Sequence, residues 1–330
     1  SQFQALTTAV SGTVGIGNIA GVAVAISIGG PGATFWLIVA GLLGMSTKLA
    51  ECTLGVMYRR YENGVVSGGP MYYLEKGLEF KGWPKLGRAL GAFYAASMVV
   101  GCLGIGNMFQ SNQAASILVN VTGGEASFFA DQVWLLGIIM ALCVGIVIIG
   151  GIKSIAATTS KLVPGMALLY IVTALVVILI NWEKIPEAFS AIWLGAFAPE
   201  GISGGIIGVM IIGFRRAVFS NEAGLGSAAI AHSTARTKEP ISEGFVGLLE
   251  PFIDTVVICT LTALVIITTV YEPSLAGQNV AGIELTTRAF ASTLSWSPVP
   301  LSIAAVLFAF STIIAWSYYC LLYTSDAADE

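Results

Sequence analysis

Long apolar stretches recur along this sequence and constrain its fold more than any other feature. A helix that crosses a hydrocarbon core of about 30 Å needs about 20 predominantly apolar residues. Each span must satisfy its own backbone hydrogen bonds inside lipid, so we expect helices. The sequence predicts an all-α membrane protein with about eight transmembrane helices. Hydropathy and helix-breaking residues place these spans at residues 5–28, 32–58, 88–119, 130–150, 160–181, 203–232, 243–270 and 298–322.

The low fraction of charged residues indicates that the lipid bilayer is a partner of this chain. Charged residues make up 10% of the sequence and hydrophobic residues 56%, and the mean hydropathy is +0.85. A soluble domain carries about 25% charged residues because water surrounds it. The sequence has no long basic run, which argues against a nucleic-acid partner. The spacing of the five cysteines fits neither a disulfide framework nor a zinc site.

The distribution of positive charge supports the order of the spans. Cytoplasmic loops of membrane proteins carry an excess of lysine and arginine. If the 58–88 loop is cytoplasmic, the opposite side receives only Lys184 and Arg288. The cytoplasmic side then receives ten basic residues, namely Arg59, Arg60, Lys76, Lys81, Lys85, Arg88, Lys153, Lys161, Arg236 and Lys238.

Two spans carry sequences that disfavour a continuous helix. The first has four glycines between residues 12 and 21, and each costs roughly 1 kcal/mol relative to alanine in a helix. The sixth has glycines in the segment 219–227, with the acidic Glu222 at its centre. Ionisable groups and irregular backbone at membrane depth normally line a cavity. We therefore predict that both helices are broken at mid-membrane.

A pair of broken helices suits a zwitterion and a cation. Unpaired amides at a half-helix N-terminus bind a carboxylate, and unpaired carbonyls coordinate sodium. The breaks fall in corresponding members of two five-helix repeats, which is the sequence pattern of a transporter site. The single transmembrane domain, residues 1–330, then divides into a first repeat at 1–181, a partial second repeat at 203–322 and a polar tail at 323–330. The alternative is that the glycines only permit close helix packing.

Polar residues in two further spans are candidate ligands. Asn107, Gln110 and Gln113 share one face of the third span, and Gln110 is interpreted either as a substrate contact or as an interhelical hydrogen bond. Ser311 and Thr312 in the eighth span offer oxygen ligands that suit a hard cation. Such hydroxyls also commonly bond to their own helix backbone.

The acidic residues within the spans allow a second candidate for the coupling ion, the proton. Glu222, Glu51 and Asp254 could relay a proton, which makes a proton-coupled carrier the alternative function. Alternatively, Glu51 pairs with Lys48 one turn away, and Glu222 pairs with Arg215 or Arg216.

An enzymatic function is not predicted. Gly201 to Gly205 satisfies a nucleophile-elbow pattern around Ser203, but that motif requires a preceding strand, which a membrane span does not supply. The single histidine, His232, is expected at the membrane interface, at the end of the sixth span.

Several ordered motifs resemble one family. They are FQALTTAVSGTVGIGNIAGVAVAISIGGPGATFW from residue 3, GGPMYY at 68–73, GNMFQSNQ at 106–113, FSNEAGLGSAAIAH at 219–232 and EPFIDTVVICTLTAL at 250–264. The chain resembles the alanine/glycine:cation symporters, also called sodium:alanine symporters, over nearly its whole length. This resemblance implies a LeuT-type fold with two inverted five-helix repeats, the second truncated here. It also implies sodium-coupled symport of alanine or glycine by alternating access in the plasma (inner) membrane of a prokaryote. It leaves the oligomeric state open.

The same resemblance implies roles for individual residues. The amides of Ile16 and Gly17 would hold the substrate carboxylate, and the stretch 219–224 would cap the substrate. The predicted substrate-binding residues are Thr13, Gly15, Ile16, Gly17, Asn18, Gln110, Phe219, Ser220, Asn221 and Gly224. The predicted sodium ligands are Ser11 and Val14 through their carbonyls, and Ser311 and Thr312 through their hydroxyls.

Overall fold

The computed structural model describes residues 1–62, 65–198, 204–275 and 282–328, and this part of the chain is almost entirely helical. Three stretches are π-helical, namely π1 (Gly17–Gly21), π2 (Cys102–Met108) and π3 (Phe252–Cys259). The α-helices are α1 (Gln2–Thr13), α2 (Val22–Gly29), α3 (Gly32–Met57), α4 (Pro70–Phe80), α5 (Pro84–Gly101), α6 (Phe109–Val121), α7 (Val133–Ile148), α8 (Gly151–Ile180), α9 (Ile185–Phe197), α10 (Gly205–Asn221), α11 (Ser227–Ser233), α12 (Pro240–Gly247), α13 (Leu249–Pro251), α14 (Thr260–Thr269), α15 (Gly282–Thr293) and α16 (Pro298–Ala328). Strands β1 (Arg60–Glu62) and β2 (Val65–Ser67) form an antiparallel hairpin.

Helices long and apolar enough to cross a membrane dominate the described ranges. Five qualify singly, and the bent pair Gln2–Thr13 and Gly17–Gly29 makes a sixth if it is one span. The predicted integral membrane protein is thus confirmed, while the predicted number of about eight spans stays a prediction. The five are Gly32–Met57, Pro84–Val121, Gly151–Ile180, Pro240–Thr269 and Pro298–Leu322.

Local sequence explains where several helices begin and end. Proline occupies the first turn of α4, α5 and α12, where its missing N–H would have no partner in any case. Gly30, with φ of 65°, follows α2 and turns the chain directly into α3.

Four features of the fold differ from the sequence prediction. Helix α8 begins at Gly151, nine residues before the predicted span, because its first turns carry polar residues that lower the hydropathy without breaking the helix. Helices α9 and α15 and the β1–β2 hairpin were not expected. Helix α15 carries Glu284 and Arg288 on its exposed face and therefore has no continuous apolar stretch.

Two long helices organise the packing around the broken spans. Helix α3 packs against α9, α10, α11 and α12, and α16 packs against α1, α6 and α8. Tyr170 of α8 is fully buried, and its ring contacts the buried rings of Phe290 and Phe308. Large apolar side chains such as Phe93, Ile146 and Leu179 are exposed on the outside, as a lipid-facing surface requires.

Close approach of α3 and α9 gives a first prediction. An ideal Cβ at Gly32 would lie 2.0 Å from the carbonyl carbon of Gly195, so α3 cannot hold alanine there without moving away from α9. Overpacking of this kind costs about 1–3 kcal/mol. We expect the cost of Gly32→Ala to lie at the upper end of this range, because the atoms that its Cβ would meet belong to the backbone. We expect a clearly lower thermal unfolding temperature in detergent. The control is Gly137→Ala in α7, whose Cβ meets nothing within 4 Å; an equal loss there would contradict the explanation.

Candidate functional site

Both predicted breaks are present in the structure. Helix α1 ends at Thr13 and π1 begins at Gly17, and the two halves of this span are bent by 50°. Helix α10 ends at Asn221 and α11 begins at Ser227. Between them Glu222 has φ of 57°, a left-handed conformation that among the described residues no other non-glycine residue adopts. The backbone of the first break is buried in protein, as are Glu222 and Gly226 of the second, whereas Gly224 and Leu225 are exposed.

The first break is wedged between α6 and α16 at Gly15. An ideal Cβ at Gly15 would lie 2.8 Å from Thr312 Oγ1 and 3.2 Å from Gln110 Oε1. The Ile16 amide donates a hydrogen bond of 3.2 Å to Gln110 Oε1. The structure therefore brings four of the predicted residues into direct contact. The Ile16 amide, which was expected to face a ligand, is held by Gln110 in this structure.

Oxygen atoms gather beside this contact. Ser11 donates from its hydroxyl to the carbonyl of Ser311 over 2.6 Å, and Ser311 donates to the carbonyl of Phe308 over 3.0 Å. Thr312 Oγ1 is buried and has no hydrogen-bond partner among the described residues. A buried hydroxyl left unpaired costs about 1–3 kcal/mol. An oxygen-only set with an orphaned hydroxyl fits a hard cation such as sodium. Val14, the fourth predicted ligand, is buried nearby in the break.

An aromatic ring covers the start of π1. An ideal Cβ at Gly17 would lie 3.5 Å from the ring of Phe219, which is ordinary van der Waals contact. Phe219 also meets Phe109 edge to face, with ring centroids 5.6 Å apart. Phe219 of the sixth span thus lies against the start of π1, and its predicted role in capping the substrate stays a prediction.

Other predicted residues contact the seventh span instead. The side chain of Asn18 accepts from the Gly15 amide and donates to Asp254 Oδ1 over 2.6 Å. Asn221 donates to Thr255 Oγ1 over 2.9 Å, and Ser220 lies 3.5 Å from Cys259 Sγ. These side chains fasten the two breaks to π3.

The remaining predicted residues have local contacts. The hydroxyl of Thr13 lies within hydrogen-bond distance of the carbonyls of Ala9 and Val10 in its own helix. Gly224 has φ of 94°, which favours glycine, and no atom lies within 4 Å of its ideal Cβ position.

The predicted pairing of Glu222 is wrong. Its carboxylate accepts from Trp316 Nε1 over 3.2 Å and from the hydroxyl of Ser227, and it forms no salt bridge with Arg215 or Arg216. Trp316 Nε1 also lies 3.3 Å from the carbonyl of Gly12. Trp316 therefore joins both breaks to α16, one turn beyond Thr312.

The predicted pairing of Glu51 with Lys48 is also wrong. Lys48 Nζ lies 3.4 Å from Glu250 Oε2, and Glu51 accepts from the Gly226 amide over 3.0 Å. His232, which was expected at the membrane interface, is fully buried inside the protein between two carboxylates. Sequence spacing indicates pairs along one helix, whereas here the packing of α3 against α12 and α13 brings Glu250 to Lys48. Ser203 lies outside the described residues.

Comparison with known proteins identifies the family of this chain. The model of the Sodium:alanine symporter family matches residues 1–324. The chain belongs to this family. It is 42% identical to the Sodium/alanine symporter AgcS of Methanococcus maripaludis, over 97% of this chain and 69% of that protein. It is 36% identical to the Amino-acid carrier protein AlsT of Bacillus subtilis, over 97% of this chain and 65% of that protein.

The name of a third relative includes the proton as well as sodium. The chain is 36% identical to YrbD of Bacillus subtilis, over 96% of this chain and 65% of that protein, which is named provisionally as a sodium/proton-dependent alanine carrier protein. The chain spans about two thirds of the length of these relatives. Membership in a symporter family makes it a transport protein and not an enzyme.

Sequence reasoning missed Trp316, and it named Asp254 only as a possible proton relay, although both residues organise the site in this symporter-family chain. Trp316 joins the breaks, and Asp254 holds Asn18. An acid in the seventh span was a signal for Asp254, since buried carboxylates need partners. Nothing in the sequence distinguishes Trp316 from the other aromatic residues of the spans.

Proposed function

We propose that the chain carries out sodium-coupled symport of a small neutral amino acid, alanine or glycine, by alternating access. The proposal takes a LeuT-type arrangement, with repeats at 1–181 and 203–322, in the inner membrane of a prokaryote. The observation that carries it is the wedge at Gly15, where an unwound backbone meets an amide side chain and an orphaned hydroxyl. Membership in the sodium:alanine symporter family supports it.

Sodium would bind between α1 and α16. Thr312 offers an unpartnered hydroxyl oxygen, and the carbonyl oxygens at the end of α1 lack helical partners beyond the break. Ser11 and Ser311 already approach each other across this gap. An ion placed there links the broken span to α16, so sodium binding orders the backbone that receives the substrate. By linkage, substrate binding then strengthens sodium binding equally.

The amino acid would bind on the other side of Gly15. In this structure Gln110 Oε1 accepts from the Ile16 amide and so stands in for a carboxylate oxygen. A substrate carboxylate would take that position, and the Gln110 amide group would then donate to it. Phe219 closes the space over Gly17. Glycines at the contact positions imply a small pocket, which favours alanine or glycine.

A proton-coupled amino-acid carrier is the second candidate. Glu222 is a buried carboxylate whose hydrogen-bond partners are Trp316 and Ser227, and no cationic side chain forms a salt bridge with it among the described residues. A carboxylate in that setting is a candidate proton carrier. The provisional naming of YrbD as sodium/proton-dependent is consistent with this candidate.

Uptake into proteoliposomes distinguishes the two. The full-length protein is reconstituted, and labelled alanine uptake is measured with an inward sodium gradient, with choline in place of sodium, and with a protonophore. We expect uptake to require sodium and to survive the protonophore. Uptake that persists in choline and collapses with the protonophore would establish the proton carrier instead.

Thr312→Val tests the cation site. Loss of a hydroxyl bonded to a charged partner costs about 1.5–3 kcal/mol, so we expect about tenfold or more sodium for half-maximal alanine uptake. The ion-free protein should be no less stable, because that hydroxyl has no partner among the described residues. The matched control is Thr268→Val in α14, a buried threonine that bonds to its own helix. An unchanged sodium requirement in Thr312→Val would remove Thr312 from the site.

A further inference from the structure

His232 lies in a fully buried cluster of charged groups outside the candidate site. It is on α11, the half-helix that follows the second break. Its Nδ1 lies 2.6 Å from Glu243 Oε1, and its Nε2 lies 2.5 Å from Glu250 Oε1. The other oxygen of Glu250 faces Lys48 Nζ at 3.4 Å. The side chains of all four residues are completely inaccessible to solvent.

Counting protons defines the state of this cluster. Each short contact between a ring nitrogen and a carboxylate oxygen needs a shared proton, since otherwise two lone pairs face each other. His232, Glu243 and Glu250 therefore hold at least two protons between them. With both protons on His232, the cluster contains two cations and two anions and is neutral. A neutral ring and one protonated carboxyl would have the same net charge, but imidazole is the stronger base, and Lys48 stabilises the carboxylate of Glu250.

The cluster ties three parts of the chain together. Lys48 comes from α3, His232 from α11, and Glu243 and Glu250 from α12 and α13. Loss of one proton would leave one ring nitrogen facing a carboxylate with no hydrogen between them, and that contact would open. Other charged or titratable groups approach the cluster from several elements. They are Glu51 and Cys52 of α3, Glu222 of the second break, Asp254 of π3, Tyr319 of α16, and Arg59, which donates to the carbonyls of Ser233 and Ala235 at the end of α11.

We propose that His232, held between Glu243 and Glu250, is a proton-binding site whose doubly protonated form fixes α11 to α3 and to α12–α13. Release of that proton frees α11, and α11 continues directly from the break that carries Phe219 and Glu222. This site is separate from the sodium ligands and from Gln110. It stands whether the coupling ion is sodium or a proton, so its test is independent of the transport assay.

The same cluster has donor atoms that could hold a metal ion. Cys52, His232 and Glu250 each offer one ligand atom, and these atoms lie within 4.8 Å of one another. Sulfur, nitrogen and oxygen donors suit zinc. The ammonium group of Lys48 lies against Glu250, however, and both ring nitrogens already face carboxylates. The geometry therefore favours a proton over a metal ion.

Nitrogen NMR of the histidine ring tests the proposal directly. His232 is the only histidine of this chain, and subtraction of a His232→Gln spectrum isolates its signal in the full-length protein. With 15N-labelled histidine at pH 7.5, we expect both ring nitrogens to be protonated. Addition of ZnCl2 should leave the spectrum unchanged. A neutral ring with one protonated nitrogen, or a zinc-dependent shift, would overturn the proposal.

Glu243→Gln tests how the carboxylate of Glu243 affects the protonation of His232. With one carboxylate left for two buried cations, the charge balance favours loss of the ring proton, and we expect a neutral His232 at pH 7.5. Diethyl pyrocarbonate, which reacts with neutral and accessible imidazole, should modify it at least tenfold faster than in wild type. Glu239→Gln is the matched control, because Glu239 is exposed just before α12. A doubly protonated ring in Glu243→Gln, or the same change in Glu239→Gln, would contradict the assignment.

Discussion

Gly15→Ala is expected to abolish high-affinity, sodium-dependent binding of alanine. The added methyl group would lie 2.8 Å from Thr312 Oγ1 and 3.2 Å from Gln110 Oε1. One of these two side chains must move, and each belongs to a different half of the proposed site. Overpacking costs about 1–3 kcal/mol, which corresponds to about 5- to 140-fold weaker binding at 1.4 kcal/mol per factor of ten. Binding of labelled alanine to purified full-length protein, with and without sodium, measures the loss.

Gly21→Ala is the control for this substitution. Gly21 lies in the same span, at the end of π1, and its ideal Cβ meets nothing within 4 Å. We expect nearly unchanged binding and a slightly more stable helix, since alanine is favoured over glycine there. If Gly15→Ala binds alanine as tightly as wild type, the wedge at Gly15 has no part in recognition. If Gly21→Ala loses binding equally, the cause is general stiffening of the span.

Lys48→Met is expected to destabilise the protein more than any other loss of a single charge discussed here. It removes the cation that faces Glu250 and leaves a buried carboxylate without its ammonium partner. Removal of one partner of a buried ion pair costs about 3–5 kcal/mol, mainly because the other charge stays buried. Thermal unfolding in detergent, followed by fluorescence, should show a large fall in the unfolding temperature.

Two further variants identify the cause of that fall. Arg288→Met breaks an exposed pair with Glu284 on α15, and exposed pairs contribute only about 0.2–1 kcal/mol. The double variant Lys48→Met, Glu250→Gln also removes the unpaired negative charge of Glu250, so we expect it to recover part of the lost stability. Equal effects of Lys48→Met and Arg288→Met would show that burial of the Lys48 pair is unimportant.

The breaks of both helices could be predicted from sequence because their causes are local. Glycine in a helix interior is unfavourable whatever surrounds it, and an acid such as Glu222 at membrane depth needs a cavity or a partner. Gln110 and Thr312 were predicted as site residues on their polarity within apolar spans, and the structure places both beside Gly15. Whether they bind substrate and sodium stays a proposal.

The partners of the buried polar groups could not be predicted, because they come from distant parts of the chain. Asn18 contacts Asp254, and Glu222 contacts Trp316, across 236 and 94 residues of sequence. The sequence pattern fixes which face of a helix is polar, but only helix packing decides which neighbour meets it. Lys48 illustrates this, since Glu51 one turn away was the nearest acid in sequence and Glu250 is its partner.

The three π-helical stretches have a consequence for how the spans can move. A π turn holds about one residue more than an α turn, so its conversion to α-helix shifts the register of everything beyond it by one residue. One residue corresponds to a rotation of about 100° and a rise of 1.5 Å along the axis. Stretches π1, π2 and π3 lie in the first, third and seventh spans, beside Gly15, Gln110 and Asp254 respectively. Each of these spans can thus turn its inner side chains toward a different neighbour while its outer half stays anchored, and needs no hinge glycine to do so.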